Sequence, residues 1–330
     1  MLSYKVDILE EDIKKFSPQL LDILLKDETT KKHIIWGSGN YSVYGFGFDD
    51  QITIDSVTGA NSNLIKPRIE KSKEEQSIRI REKAEVFTPS WVCNKQNNLV
   101  DNAWFGRENI FNVETTKGWN TLPEPIEFPT EHLKTWQDYV IEPRLEISCG
   151  EAPYLVSRYD TVTGKHIEIS ERIGLLDRKL RVLSENINDE SEWLGWAQKA
   201  YKSIYGYEWQ GDNILLAREN LICTFIDYYK LKFHKEPAEK LLLNIASITS
   251  WNIWQMDGLK FVIPNSCKNK SNDNAQLTLF DERTKDKPCE GCARNNPLLH
   301  TGTYCKVMDW DENKEIKFVS LLKNYHEGKL

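Results

Sequence analysis

From residue 144 onward, short apolar segments alternate along the chain with longer amphipathic ones. RLEIS at 144–148, ERIGLLD at 171–177 and YEWQGDNILL at 207–216 have the apolar, turn-bounded composition of strands. Segments between and after them, such as ENLICTFIDYYKLKF, repeat apolar residues at the three-to-four spacing of helices. Strands that alternate with helices favour parallel pairing, so we predict an α/β fold with a doubly wound, mainly parallel sheet.

The chain divides into three regions by composition. Residues 1–82 predict a mixed α+β region, with helices over 1–27 and strands and turns over the glycine- and aromatic-rich stretch 33–70. Residues 83–262 predict the α/β core, and residues 263–330 form a polar, Cys-rich tail. A chain of 330 residues is long enough for about two domains.

A further helix is predicted at the start of the core. Thr88 is expected to cap it and Pro89 to occupy its first position, because both residue types are favoured there. Trp91, Val92, Leu99 and Val100 on this helix are expected to contact the core. Four prolines over 105–143 indicate an inserted loop with one short helix.

The net charge of −7 gives the chain no overall attraction to nucleic acid. Any contact with DNA phosphates therefore requires a local basic patch. The segment 66–83 has seven Lys or Arg against four Glu, and it is either such a patch or a solvated helix face. Its candidate phosphate contacts are Lys66, Arg68, Lys71, Lys73, Arg79 and Arg81.

The first residues, MLSYKVDILEEDIKK, carry too many charges for a signal peptide. No apolar run approaches the roughly 18 residues that span a bilayer. We therefore expect a cytoplasmic protein whose seven Cys stay reduced.

Four of the Cys, namely Cys267, Cys289, Cys292 and Cys305, fall in the tail. Their spacing, C-x21-C-x2-C-x12-C, and the central C-x-x-C favour a tetrahedral structural zinc site, with His300 able to replace one Cys. The alternative is a set of free thiols in a loop. With four protein ligands, no position on the metal would remain open for catalysis.

Polar or small residues follow each predicted strand of the core. Ser148, Cys149 and Gly150 come after the first, Asp177 ends the second, and Asp212 with Asn213 closes the third unit. In open α/β sheets, ligands bind beyond the carboxyl ends of the strands. A small-residue bend lets a ligand approach the backbone, and the acids can accept hydrogen bonds from a ribose and an adenine amine. The set predicts a pocket for an adenosine-containing ligand.

This ordered set resembles the N6-adenine DNA methyltransferases of the gamma arrangement, in particular the modification subunits of restriction-modification systems. Val86-Phe87-Thr88-Pro89 is similar to the family's Thr-Pro segment, and Glu146 to Ala152 is similar to its Cys-Gly cofactor loop. Asp177 and Asp212 match the family's ribose- and adenine-binding acids.

The resemblance implies a Rossmann-like fold, S-adenosylmethionine as cofactor and DNA as partner, and leaves open a restriction or specificity subunit as a second partner. The implied cofactor-binding residues are Phe87, Thr88, Pro89, Glu146, Cys149, Gly150, Asp177, Asp212 and Asn213.

The sequence departs from this family at the catalytic motif. No Asn/Asp-Pro-Pro-Tyr/Phe occurs, and Asn265, after the apolar run 259–263 that predicts a fourth strand, is the candidate substitute. Asn295-Asn296-Pro297-Leu298 has the Asn-Pro step alone. Three hypotheses remain open: an adenine methyltransferase or modification subunit, a subunit that binds cofactor or nucleic acid without catalysis, and a methyltransferase for RNA or protein.

Overall fold

A computed structural model describes residue 6 and residues 8–83, 85, 88–129, 134–267 and 289–326. The helices are α1 (Glu10–Phe16), α2 (Pro18–Leu25), α3 (Ile54–Val57), α4 (Lys73–Lys83), α5 (Ser90–Phe105), α6 (Trp136–Ile141), α7 (Leu175–Asn186), α8 (Glu190–Lys202), α9 (Gly211–Phe233), α10 (Glu239–Asn252), α11 (Glu290–Arg294) and α12 (Phe318–His326). The strands are β1 (Asn112–Thr115), β2 (Gly118–Thr121), β3 (Arg144–Ile147), β4 (Ile204–Glu208), β5 (Ile253–Gln255), β6 (Lys306–Asp309) and β7 (Lys314–Lys317).

The fold is α/β, built on a parallel three-stranded sheet. Its strand order is β3-β4-β5, and it is flanked in the sequence by the antiparallel hairpins β1-β2 and β6-β7. Ile147 pairs with Tyr207, and Glu208 pairs with Gln255, so the three strands end at one edge. Because the strands are parallel, the loops that follow them emerge together at that edge.

The two faces of the sheet are covered differently. Ile204 and Ile253 join the main core, to which α2, α7, α8, α9 and α10 also contribute. Residues of opposite parity, Tyr207 and Trp254, face a second, smaller cluster that includes Val307 of β6 and Phe318 of α12. Alternate strand residues point to opposite faces, so the C-terminal region covers part of the second face.

The predicted strand at 171–177 is wrong. Residues 169–171 form a 3-10 turn, and α7 begins at Leu175, which puts Asp177 in the first turn of a helix. This seven-residue segment, whose apolar residues are Ile173, Leu175 and Leu176, fits either structure, and packing of α7 against α8 and α9 decides for the helix. The fourth strand expected over 259–263 is absent too, since this segment forms turns with isolated bridges at Val262.

In the first region, helices over 1–27 are confirmed as α1 and α2, with the Ser17 side chain capping α2 through the Leu20 N–H. The strands expected over 33–70 are not formed. This stretch contains α3, 3-10 turns and single bridges such as Ile35 with Gln51. Its glycines and turn residues interrupt the ladder before a strand can extend.

The α5 helix buries a polar face instead of Leu99 and Val100, which are 66% and 41% exposed. Its buried Asp101 accepts Nη1 of Arg178 from α7 at 2.6 Å. Asn94 and Asn98 accept from the same guanidinium at 2.9 and 2.7 Å. A buried charge is stable only when it is paired and hydrogen-bonded, so Arg178 determines which face of α5 is buried.

No helix in the described part of the chain is long and apolar enough to cross a membrane.

Candidate functional site

The turn after β3 is held tightly against β4. Ser148 and Gly150 adopt the left-handed backbone conformation, with φ of 54° and 52°. The N–H of Cys149 donates to the carbonyl of Tyr207 at 2.9 Å, and the Cys149 side chain packs over Gly206, where an added Cβ would lie 3.2 Å from Sγ. Cys149 is 1% exposed, and burial raises the pKa of its thiol well above the usual value. Its role in the turn is therefore packing, and Gly150 presents the backbone.

Glu146 supports this turn from beneath. Its buried carboxylate accepts the N–H groups of Tyr154 and Leu155 at 3.4 and 3.2 Å, so it fixes both ends of the loop. Burial is the main reason that the pKa of Glu146 lies well above its ordinary value. The loop also contains Ala152 at φ 63°, a conformation that costs a residue with a Cβ about 1–2 kcal/mol.

Glu208, the last residue of β4, joins the ends of β3 and β4. One carboxylate oxygen accepts the N–H of Gly150 at 3.1 Å, and the other accepts those of Trp209 and Gln210 at 2.8 and 3.3 Å. Glu208 is 9% exposed, and burial raises its pKa despite these three hydrogen bonds. It is an acid at the end of the strand next to the small-residue turn.

Asp257 occupies the corresponding place beyond β5. Its carboxylate accepts the N–H groups of Leu259 and Lys260 at 3.0 and 3.2 Å and forms an ion pair with the Lys260 ammonium at 3.2 Å. Its own N–H donates to the carbonyl of Val262 at 2.8 Å. Together with Glu208 and the Gly150 turn, it gives a polar group after each of the three strands.

Asp177 lies away from this arrangement. It is fully buried in α7, where Oδ2 accepts the backbone N–H of Ser157 at 2.8 Å and the Ser157 hydroxyl at 3.1 Å. The guanidinium of Arg172 lies 3.9 Å from Oδ1. Burial outweighs these contacts and raises the pKa of Asp177 to about 6. The structure thus places Asp177 within the protein core.

Asp212 and Asn213 begin α9 and belong to another buried network. Oδ2 of Asp212 accepts the Tyr41 hydroxyl at 2.6 Å and Nη2 of Arg79 at 2.7 Å, and the Asn213 amide donates to Glu85 at 2.8 Å. Burial alone would raise the pKa of Asp212, but Arg79 and Lys71 lower it to about 2.

Cys149, Asp177 and Asp212 do not converge on one pocket, as the sequence had led us to expect. Each is at most 1% exposed, and each is held in contacts of its own with the surrounding core. Of the acids at the strand ends, Glu208 contacts the Gly150 turn, and Asp257 follows β5 on the other side of β4.

The Thr-Pro segment precedes α5, and both contact the chain that follows the Gly150 turn. Pro89 is the cap of α5 and Ser90 its first residue, one position later than predicted, and Phe87 lies outside the described residues. The Thr88 carbonyl accepts the hydroxyl of Thr161 at 3.1 Å, and the side chain of Asn97 on α5 donates to the Tyr154 carbonyl at 2.9 Å.

A second site lies in the C-terminal region. One ligand atom from each of Cys267, Cys289, Cys292 and His300 lies within 4.8 Å of the others, so this cluster could hold a metal ion. Nδ1 of His300 is 3.5, 3.6 and 3.6 Å from the three sulfurs. Zn–S and Zn–N bonds of about 2.3 and 2.0–2.1 Å at a tetrahedral centre separate S and N by about 3.6 Å. The donors therefore fit zinc in both type and spacing.

The local backbone structure positions the candidate metal ligands of this cluster. Cys289 caps α11 and Cys292 lies on it, while the Thr301 N–H donates to the Cys289 sulfur at 3.2 Å. Burial opposes ionisation of Cys289, but hydrogen bonds from its neighbours lower its pKa to about 5, which favours the metal-binding thiolate. A Cβ on Gly302 would lie 2.8 Å from the sulfur of Cys267, so a larger residue there would disturb the cluster.

The structure corrects the predicted fourth ligand. Cys305 is fully buried in the cluster around Tyr207 and Trp254, where its thiol donates to the Gln255 carbonyl at 3.4 Å. His300, named from the sequence as an alternative, takes the position. Asn265, the candidate catalytic amide, lies two residues before Cys267 and donates to both carboxylate oxygens of Asp49, at 3.0 and 3.2 Å.

The six candidate phosphate contacts of the segment 66–83 do not form one surface. Lys71 and Arg79 are buried and face Asp212, whereas Lys73 and Arg81 are exposed. Lys66 is half-buried, and the Arg68 N–H donates to the Glu151 carboxylate at 2.6 Å. The segment therefore combines a structural ion-pair network with a smaller solvated face.

Sequence reasoning missed Glu208 and Asp257 because it closed the third strand-to-turn unit at Gly211-Asp212, whereas β4 ends at Glu208. The signal was present, since IYGYE and IWQMD each place an acid at or just beyond the end of a short apolar run. Comparison of the chain with family models, with curated proteins and with solved structures returned no match.

Proposed function

We propose that this protein binds S-adenosylmethionine at the carboxyl edge of the β3-β4-β5 sheet and methylates the N6 amine of adenine in DNA. The observation that carries the proposal is the contact between the Glu208 carboxylate and the Gly150 N–H at the tips of adjacent parallel strands. A glycine turn beside a strand-end acid is the arrangement that accepts an adenosine group in Rossmann-like folds. The Thr88-Pro89 segment at the start of α5 adds a third element of the resemblance, since Asn97 of α5 contacts Tyr154 beyond the Gly150 turn.

In this proposal, Glu208 accepts hydrogen bonds from the ribose hydroxyls and Gly150 lets the cofactor approach the backbone. The bound cofactor supplies an electrophilic methyl group on a sulfonium. Transfer of that methyl group to N6 would release the cofactor's sulfur as a neutral thioether, and the displaced N6 proton would pass to water. Because N6 is a poor nucleophile, positioning of the adenine amine is the main contribution required of the protein.

The chain has no Pro-Pro step to hold that amine, and the Asn265 amide is bonded to Asp49. This observation favours a second candidate function, a subunit that binds cofactor or DNA and relies on a partner for catalysis. A restriction or specificity subunit is the kind of partner proposed.

We further propose that zinc occupies the Cys267-Cys289-Cys292-His300 cluster in a structural role. Four protein donors fill a tetrahedral shell, so no position remains for a substrate. The cluster joins the segment after β5 to the segment that leads into the C-terminal hairpin. The same two segments are connected by a hydrogen bond from the Ile263 N–H to the Thr303 carbonyl at 2.9 Å.

The test measures S-adenosylmethionine binding by isothermal titration and then methyl transfer from labelled cofactor to DNA, RNA and protein acceptors. Binding with transfer to adenine in DNA supports the proposal. Binding without transfer to any acceptor selects the non-catalytic subunit, and transfer to RNA or protein alone would replace DNA as the substrate. Absence of cofactor binding would reject the methyltransferase proposal.

A further inference from the structure

A pocket of about 220 Å³ lies between α4 and the loop that precedes α3, with the Asp212 network behind it. We call it the α4 pocket. It is lined by Asn40, Tyr41, Tyr44, Asn63, Leu64, Lys66, Lys71, Glu75, Ile78 and Arg79. Pockets for drug-sized ligands have volumes of about 300–1,000 Å³, so this one suits a single flat ring system.

Lys71 is a buried residue of this pocket whose ammonium N–H groups are not used in hydrogen bonds of the described part of the chain. Its side chain is 6% exposed, and Nζ makes no hydrogen bond within the described part of the chain. Its nearest carboxylate oxygen, on Asp212, is 3.6 Å away in an ion pair. An ammonium group has three N–H donors and no acceptor. A ligand that reaches Lys71 must therefore present an acceptor atom.

Arg79 is hydrogen-bonded to two carboxylates of the protein. Its Nε and Nη2 both donate to the Glu85 carboxylate, and Nη2 also donates to Oδ2 of Asp212 at 2.7 Å. Its charge is consequently matched by two carboxylates within the protein. Lys71 and the half-buried Lys66 are the cations of the lining that remain for a ligand.

The mouth of the pocket is aromatic and apolar. Tyr44 is 58% exposed and Ile78 is 40% exposed, although both are large and hydrophobic. Leu64 continues this wall, and the amides of Asn40 and Asn63 lie among the lining groups. Exposed aromatic side chains beside cationic groups are typical of proteins that stack single-stranded bases.

From these features we infer that the α4 pocket holds the base of one nucleotide. Its ring would stack on Tyr44 and Ile78, an acceptor on its edge would bond to Lys71, and its phosphate would lie near Lys66. We expect guanine to bind better than adenine, because O6 and N7 of guanine are adjacent acceptors whereas adenine presents an amine beside N7. The inference concerns a second site and does not depend on cofactor binding at the sheet edge.

The ligand could be a free nucleotide or a nucleotide within a DNA strand, and the experiment separates the two. Binding of dGMP, dAMP and the pentanucleotides TTGTT and TTATT is measured by isothermal titration. The proteins compared are wild type, Lys71→Met, Tyr44→Ala and Lys73→Met. Lys73 is exposed on α4 outside the pocket lining and serves as the matched control.

We expect the wild type to prefer guanine, Lys71→Met to lose that preference, and Tyr44→Ala to weaken guanine and adenine ligands by roughly fivefold or more. Lys73→Met should retain the guanine preference. Tighter binding of TTGTT than of dGMP identifies the DNA strand as the source, and binding of dGMP alone identifies the free nucleotide.

Equal affinities of wild type and Tyr44→Ala, or no binding of any of the four ligands, would overturn the inference. Tyr44 is exposed, so its variant is expected to fold even if Lys71→Met does not. Cofactor titrations on Tyr44→Ala distinguish this site from the sheet edge, because S-adenosylmethionine affinity should be unchanged there.

Discussion

The carboxylate of Glu208 accepts the backbone N–H of Gly150 at 3.1 Å, across the ends of two parallel strands. This contact requires the strand pairing of β3 with β4, since the two residues are 58 positions apart in the chain. It puts an ionisable group where an adenosine ribose is expected to lie.

Replacement of Glu208 by Gln tests that assignment. We expect the affinity for S-adenosylmethionine to fall by roughly tenfold or more, because hydrogen bonds to a charged group contribute about 1.5–3 kcal/mol. Isothermal titration measures the change, and circular dichroism checks that the variant is folded. The control is Glu239→Gln, an exposed acid at the start of α10. Equal affinities of the two variants for S-adenosylmethionine would show that Glu208 does not bind the cofactor.

A buried Asp177 should make stability depend on pH. Its folded-state pKa of about 6 lies above its ordinary value of 3.8. The folded protein therefore holds the proton more tightly than the unfolded chain does. The contribution of Asp177 to the free energy of unfolding is fully present below pH 3.8, and it is lost as the pH rises through 6. The pKa difference corresponds to about 3 kcal/mol.

Urea denaturation of wild type and Asp177→Asn between pH 4 and 8 measures this effect. Asn can still accept the Ser157 N–H, so the variant mainly removes the titration. We expect the free energy of unfolding of the wild type, relative to the variant, to decline as the pH rises. A constant difference over this range would show that Asp177 does not titrate as described.

The pair formed by Arg79 and Asp212 should stabilise the fold. Arg79→Met leaves Asp212 buried with Lys71 as its remaining cation, and loss of one partner of a buried ion pair costs about 3–5 kcal/mol. Lys73→Met on the same helix should change the unfolding free energy little, since Lys73 is exposed. If the two variants are equally stable, Arg79 is free to contact DNA instead.

The zinc assignment predicts about one zinc ion per purified chain by elemental analysis. His300→Ala and Cys292→Ser should reduce zinc content and lower the melting temperature. Cys305→Ala should retain the metal, because Cys305 lies in the apolar cluster and not among the four donors. Loss of zinc from Cys305→Ala alone would show that Cys305, and not His300, is the fourth zinc ligand.

Metal removal should also affect the sheet edge. The Asp257 N–H donates to the Val262 carbonyl, and the N–H of the next residue, Ile263, donates to the Thr303 carbonyl. The His300 N–H donates to the Tyr304 hydroxyl at 2.8 Å. This chain of contacts links the cluster to the turn after β5. We expect a zinc chelator to weaken S-adenosylmethionine binding by wild type and added zinc to restore it. Unchanged cofactor affinity in the chelated, zinc-free protein would separate the two sites.

Much of the helical structure could be predicted from local patterns. Apolar spacing predicted the helices over 1–27 and the helix of the segment ENLICTFIDYYKLKF, which belongs to α9, because a helix satisfies its backbone hydrogen bonds within its own segment. The same local view failed at 171–177, where a short apolar run is compatible with a strand or a helix. For α5 it predicted the helix but not the buried face, since the buried Arg178 that pairs with Asp101 is 77 residues away in the chain.

The sequence by itself predicted the α/β class, the Gly150 turn and the cluster residues Cys267, Cys289 and Cys292, with His300 as an alternative donor, because these follow from residue types and their spacing along the chain. Tertiary structure alone decided which acids adjoin that turn and that His300, not Cys305, completes the cluster. Strand pairing and packing join distant residues, and the cost of burying a charge or a thiol is set by neighbours that the local sequence does not reveal.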